Sequence, residues 1–106
     1  MSVFYATMSY DLDPATEPDA RKLLRAELVG RRWDDRFGGD LLPSHTVFAR
    51  RAAAQGQTVD DVHAACGVEL EQAIASVRAT GRVIGLVRAF AQVSGAGTYG
   101  PLRLAR

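Results

Sequence analysis

The chain is poor in several things, and each shortage closes a class of explanation. There is one cysteine, Cys66, so an internal disulfide is impossible and a zinc site built on thiolates has too few ligands. There is one lysine, Lys22, against twelve arginines. No apolar run approaches the ~18 residues that a membrane-spanning helix needs. The opening, MSVFYATMSYD, has neither a basic start nor a small-residue cleavage site, so a secretory leader is not expected. These features lead us to expect a cytoplasmic protein without a membrane partner. A Gly-x-Ser-x-Gly nucleophile context is missing, and Gly95-Ala96-Gly97 opens no helix, so neither a serine hydrolase nor a phosphate loop is indicated.

What is present fits one globular domain over 1–106. The sequence is 47% hydrophobic and 24% charged, near the globular average, and its length leaves no room for two domains. Thirteen basic and twelve acidic residues give a net charge of +1, so the total does not mark a nucleic-acid binder. The distribution is less even. All twelve acids lie within residues 1–71, whereas residues 72–106 hold five arginines and no acid. Clustered cations can meet phosphates even when the total is near zero. They can equally guard a strand edge.

The periodicities predict the elements. Residues Val3 to Leu12 alternate, with Phe4, Ala6, Met8, Tyr10 and Leu12 on the core face and Val3, Tyr5, Thr7, Ser9 and Asp11 on the other. This is a strand. Asp13-Pro14 breaks it. A helix over 17–30 follows, with Thr16 as cap, Pro18 in the first turn, Ala20, Leu23, Leu24 and Leu28 as its stripe and Gly30 as its stop. Trp33 to Phe37 and Thr46 to Arg50 read as a hairpin with a long tip around Gly38-Gly39-Asp40 and Pro43. A second helix spans 58–80, capped by Thr58, with Val62, Cys66, Leu70 and Ile74 at intervals of four. Gly67 inside it costs ~1 kcal/mol relative to Ala, so it marks a bend or a close contact. Arg82 to Val93 is apolar on both faces and is expected to lie centrally or under a partner. Leu102-Arg103-Leu104 would make a last short strand.

The order β-α-β-β-α-β is the ferredoxin-like α+β arrangement, here with a short extra C-terminal strand. Two helices cover only one face of its sheet. The other face, carrying the odd positions of the first strand with Ile84, Leu86 and Phe90 of the fourth, is too apolar to be left wet. A two-fold homodimer is the expected solution.

Candidate functional residues are few. Asp11 ends the first strand on the uncovered face. A turn role explains a strand-end Asp. In a symmetric dimer, two Asp11 carboxylates could instead share a divalent ion such as Mg²⁺, which prefers oxygen ligands and activates water. His45 is a general acid or base only if it reaches the same cleft. Cys66 falls in the helix stripe and reads as core. Arg31, Arg32, Arg36, Arg50 and Arg51 flank Trp33, Phe37 and Phe48, which is the composition of an RNA contact in which Arg meets phosphate and rings stack on bases. A solvated hairpin with its rings in the core has the same composition.

The stretch from Phe4 to Leu12, ending in Tyr10-Asp11-Leu12, and the segment His45-Thr46-Val47-Phe48-Ala49 resemble the matching strands of the small ferredoxin-fold CRISPR-associated proteins and of virulence-associated protein D. The GhoS-type antitoxin, an RNA-cleaving toxin–antitoxin component, is similar in outline. In those groups the last strand often joins the partner's sheet. The resemblance implies a homodimer and a metal-dependent endoribonuclease or nucleic-acid-binding protein, with Asp11 as the catalytic or Mg²⁺-binding carboxylate at the dimer seam and RNA as partner. Ala49 replaces the Glu that often follows the Val-Phe step, and the loop 52–57 has no counterpart. The other expectation is a non-catalytic dimeric interaction or regulatory module.

Overall fold

The computed structural model describes residues 2–95, and the expected strand at Leu102–Leu104 lies outside them. The elements run β1 (Ser2–Leu12), α1 (Pro18–Gly30), β2 (Arg36–Phe37), β3 (Asp40–Leu41), β4 (Thr46–Ala53), α2 (Val59–Arg78) and β5 (Leu86–Ser94). The main sheet has the order β4-β1-β5, with both neighbours of β1 antiparallel to it. Both helices pack against one face of this sheet. The architecture is α+β and compatible with a ferredoxin-like arrangement. Among the described residues, no helix is long and apolar enough to cross a membrane.

The alternation in β1 sets the layers. Ala6, Met8, Tyr10 and Leu12 are buried beneath Ala20, Leu24 and Leu28 of α1 and Cys66, Leu70, Ala73, Ile74 and Val77 of α2. Val47 and Ala49 of β4, Trp33 and Ile84 complete this core. Each buried aliphatic side chain of Val or Leu size contributes about 1.5–3 kcal/mol of transfer free energy.

Four local expectations change. First, Thr16 does not cap α1. Its hydroxyl accepts from the Gly85 N–H at 3.2 Å, and the boundary residue is Glu17, whose side chain accepts from the Val83 N–H at 3.1 Å. The entry to α1 is thus tied to the loop before β5. Asp13 N–H donates to Gly85 O at 2.8 Å, and a Cβ on Gly85 would sit 3.2 Å from the Asp13 Cβ, so this approach suits glycine. Thr58, by contrast, does cap α2, in a capping box with Asp61.

Second, the hairpin is not a pair of matching strands. Asp34 and Phe48 exchange hydrogen bonds as one isolated bridge. Beyond it β2 and β3 pair, among the described residues, only with each other, around Gly38 and Gly39 at φ 60° and 103°. Two adjacent positive φ values give the tight turn that glycine pairs favour. Arg32, at φ 72°, turns the chain out of α1 before a strand can start.

Third, β5 begins at Leu86 and not at Arg82, and it is an edge strand within the described chain. Fourth, Asp11 pairs with Arg88 but Leu12 pairs with Leu86, so Val87 is an extra residue. This bulge reverses the side-chain parity. Ile84 and Leu86 therefore turn toward the core, while Arg88, Phe90 and Gln92 turn to the uncovered face.

Candidate nucleic-acid interface

The registers fix what shares the uncovered face. Tyr5 lies between Arg50 and Ser94, Thr7 between Phe48 and Gln92, Ser9 between Thr46 and Phe90, and Asp11 beside Arg88. Three rings, Tyr5, Phe48 and Phe90, thus occupy three successive rows on three strands. Rows are about 7 Å apart along the strands, and strands are about 4.8 Å apart. Phe90 is 68% exposed. Tyr5 and Phe48 are half-buried, and Phe37 from β2 meets the Phe48 ring edge-on at 5.9 Å.

Charge on this face is sparse and mainly cationic. Arg50 is exposed and has no ion pair among the described residues. Arg88 Nε donates to Asp11 Oδ2 at 3.1 Å, with the two side chains 75% and 64% exposed. Such a pair is loosely held, because both ions keep most of their water. Beside it the Ser9 and Thr46 hydroxyls lie 3.2 Å apart. A shallow recess of about 210 Å³ runs along Ser9, Asp11, Arg88 and Phe90. The face can offer rings to bases, guanidinium groups to phosphates and hydroxyls to sugar or base edges.

The five arginines singled out from the sequence do not form one patch. Arg31 joins the end of α1 to α2 through Glu27, Gln72 and Ser76. Arg51 lies under the sheet. It donates to Glu69 at 2.8 Å and to the Arg31 carbonyl at 3.1 Å, and its guanidinium sits 5.2 Å from the Trp33 ring centre. Trp33 donates to the same Glu69 oxygen at 3.1 Å. Arg32 and Arg36 are exposed on the loop and on β2. Only Arg50 shares the sheet face with the rings. Phe90 is on the uncovered face, as its parity predicts, but neither it nor Arg88 was singled out as a contact residue, because the sequence does not show which residues of β1 and β4 they stand beside.

Asp11 is on the uncovered face, at the end of β1, as the alternation predicts. It forms an ion pair with Arg88, and no group of three metal-ligating side chains exists among the described residues. Mg²⁺ requires near-octahedral oxygen coordination. One carboxylate facing a guanidinium does not fit that requirement within a single chain.

His45 lies at the same end of the sheet. Its backbone is left-handed, at φ 60°, its carbonyl accepts from the Tyr10 N–H at 3.1 Å, and its ring stacks on Tyr10 with centres 5.2 Å apart. Burial, with the Arg21 and Arg25 charges, pushes its pKa below the ordinary value, and Asp11 opposes this. Burial raises the Tyr10 phenol, with Arg25 opposing. His45 thus comes within reach of Asp11's field, but no hydrogen bond joins them. Cys66 is buried and donates to Val62 O at 3.3 Å. Burial pushes its thiol pKa up, as suits a core residue and not a nucleophile.

The chain matches no protein-family model, no curated protein and no solved structure.

Proposed function

We propose that the chain is an RNA-binding module that lays a single strand across the uncovered face of its sheet. The observation that carries this reading is the placement of Tyr5, Phe48 and Phe90 on three adjacent strands with Arg50 and Arg88 among them. Single strands suit such a surface, because their bases can unstack onto side-chain rings and their backbone can follow scattered cations. A duplex hides its base faces and would meet, among the described residues of this face, the guanidinium groups of Arg50 and Arg88 alone. The modest charge of the face places most of the affinity in stacking.

Fluorescence anisotropy with a labelled single-stranded RNA tests this. Phe90→Ala is expected to weaken binding about 5- to 150-fold, which corresponds to the ~1–3 kcal/mol of one base–ring stack. Arg50→Ala is expected to flatten the log–log salt slope by about 0.7. Wild-type protein that leaves the RNA free at low salt would sink the reading.

A metal-dependent endoribonuclease at the seam of a homodimer is the second reading. The exposure of Asp11 on this same face favours it, since a second copy could bring a second carboxylate there. Cleavage of the bound RNA in Mg²⁺, lost in Asp11→Asn while binding persists, would support it. Intact RNA would leave a binding module alone.

A further inference from the structure

At the end of β1 the uncovered face holds a feature that ring stacking does not use. The recess of about 210 Å³ is lined there by Ser9, Asp11, Arg88 and Phe90. The register sets these four side chains in two rows. Ser9 stands beside Phe90, and Asp11 stands beside Arg88. The rows are about 7 Å apart along the strands. A base lying on the exposed Phe90 ring therefore has the Asp11–Arg88 row at its edge.

That row has a definite order. Arg88 Nε lies 3.1 Å from Asp11 Oδ2, so the groups run Oδ1, Oδ2, guanidinium. The carboxylate accepts on both oxygens, and the guanidinium carries five N–H donors. Both side chains are mostly exposed, and among the described residues neither has another hydrogen-bond partner. Two acceptors followed by a donor match one base edge. Guanine presents N2–H, N1–H and O6 in that order, two donors and then an acceptor. Adenine and cytosine each set one amino group beside a bare ring nitrogen, and uracil sets one N–H between two carbonyls. Each of these three would turn an acceptor toward a carboxylate oxygen, which repels it and leaves it unpaired. Single-stranded bases expose this edge, since no partner strand covers it.

Asp11 is also the one acid among the described strand residues of this face. A carboxylate opposes phosphates, so it gains nothing for an RNA surface unless it reads a base. Resting on the RNA-binding reading, we propose that the recess is a guanine subsite: the base stacks on Phe90, the Asp11 carboxylate accepts from N1–H and N2–H, and Arg88 donates to O6. Asp11 sets the base preference, because only it demands two neighbouring donors.

The test uses the full chain and fluorescence anisotropy at one fixed low salt concentration. The probes are a labelled oligoadenylate and versions of it with one central base replaced by guanine, hypoxanthine, uracil or cytosine. Guanine is expected to bind about 5- to 20-fold more tightly than the other natural bases, the lower part of the range for a bidentate base contact, because the pair stays open to water. Hypoxanthine, which lacks the N2 amino group, is expected to lose most of that preference without any change to the protein. Asp11→Asn is expected to bring the guanine-to-adenine affinity ratio to about 1, while Arg50→Ala weakens every RNA and keeps the ratio. Equal affinity for all the RNAs would overturn the guanine subsite and leave the RNA-binding reading standing. A preference that survives Asp11→Asn, or hypoxanthine bound as tightly as guanine, would overturn it as well. No binding to any of the RNAs would overturn both.

Discussion

The two faces of the sheet are built from the same three strands and behave as different materials. On the covered face Ala6, Met8, Tyr10, Val47 and Ala49 are all buried. On the other face, one residue along in each case, stand Tyr5, Thr7, Ser9, Phe48 and Arg50, half-buried or exposed. Strand geometry alone separates them, since successive side chains point to opposite sides. The consequence is a division of labour along a single segment. Substitutions on one face should register as stability and those on the other as binding.

The largest effect is expected on the covered side. Trp33 is 1% exposed, donates to Glu69 and lies beside the Arg51 guanidinium. Trp33→Ala leaves a cavity and removes the ring from two polar groups that depend on it, so a loss of about 3–5 kcal/mol is expected in urea denaturation. Phe90→Ala on the open side should change stability by no more than about 0.5 kcal/mol, as for other exposed positions, while weakening RNA as described above. Comparable stability losses in the two variants would mean that Phe90 is covered in solution and that the division of faces is not real.

A smaller effect separates two ion pairs. Arg51–Glu69 has side chains 25% and 24% exposed, against 75% and 64% for Arg88–Asp11. A double-mutant cycle on Asp11 and Arg88 is expected to return a coupling of no more than ~0.5 kcal/mol, diminishing with salt. A larger, salt-resistant coupling would show that the pair is desolvated, as it would be under a second copy.

Much of this arrangement was legible in the sequence, and the parts that were not have identifiable causes. The alternation of β1, the stripe of α2 and the Thr58 cap announce themselves because each is a local pattern repeated several times. Thr16 misled because a hydroxyl before a helix can serve two partners, and the Gly85 N–H, distant in sequence, took it. The first strand of the hairpin, Trp33 to Phe37, failed because Arg32 and Gly38-Gly39 leave too little extended chain between them. The uncovered face was anticipated for β1, where parity is unbroken from Val3 to Asp11. It was misassigned for Ile84 and Leu86, because one inserted residue at Val87 inverts a period-two pattern and a bulge has no reliable signature in a single sequence. The arginines show the same limit from the other side. Arg50 and Arg51 are neighbours in sequence, yet one faces solvent with the rings and the other binds Glu69 beneath the sheet.

The smallest expected effect sits where the two faces meet, at the end of β1. His45 stacks on the buried Tyr10 and lies near Arg21 and Arg25, and its pKa is lowered from 6.5. The unfolded chain, with its histidine at the ordinary value, takes up a proton before the folded chain does. As pH falls through that value toward the lowered one, the unfolded state binds more protons, and linkage requires stability to fall with it. The contribution is complete above the unfolded value and is lost on acidification. His45→Asn is the suitable probe, since asparagine tolerates the left-handed backbone that position 45 adopts. Between about pH 7 and about pH 5.5, above the range where most carboxylates titrate, the wild-type protein should lose more stability than the variant. Parallel stability curves would mean that the imidazole is as well solvated in the folded chain as in the unfolded one, and that the ring stack on Tyr10 does not persist in solution.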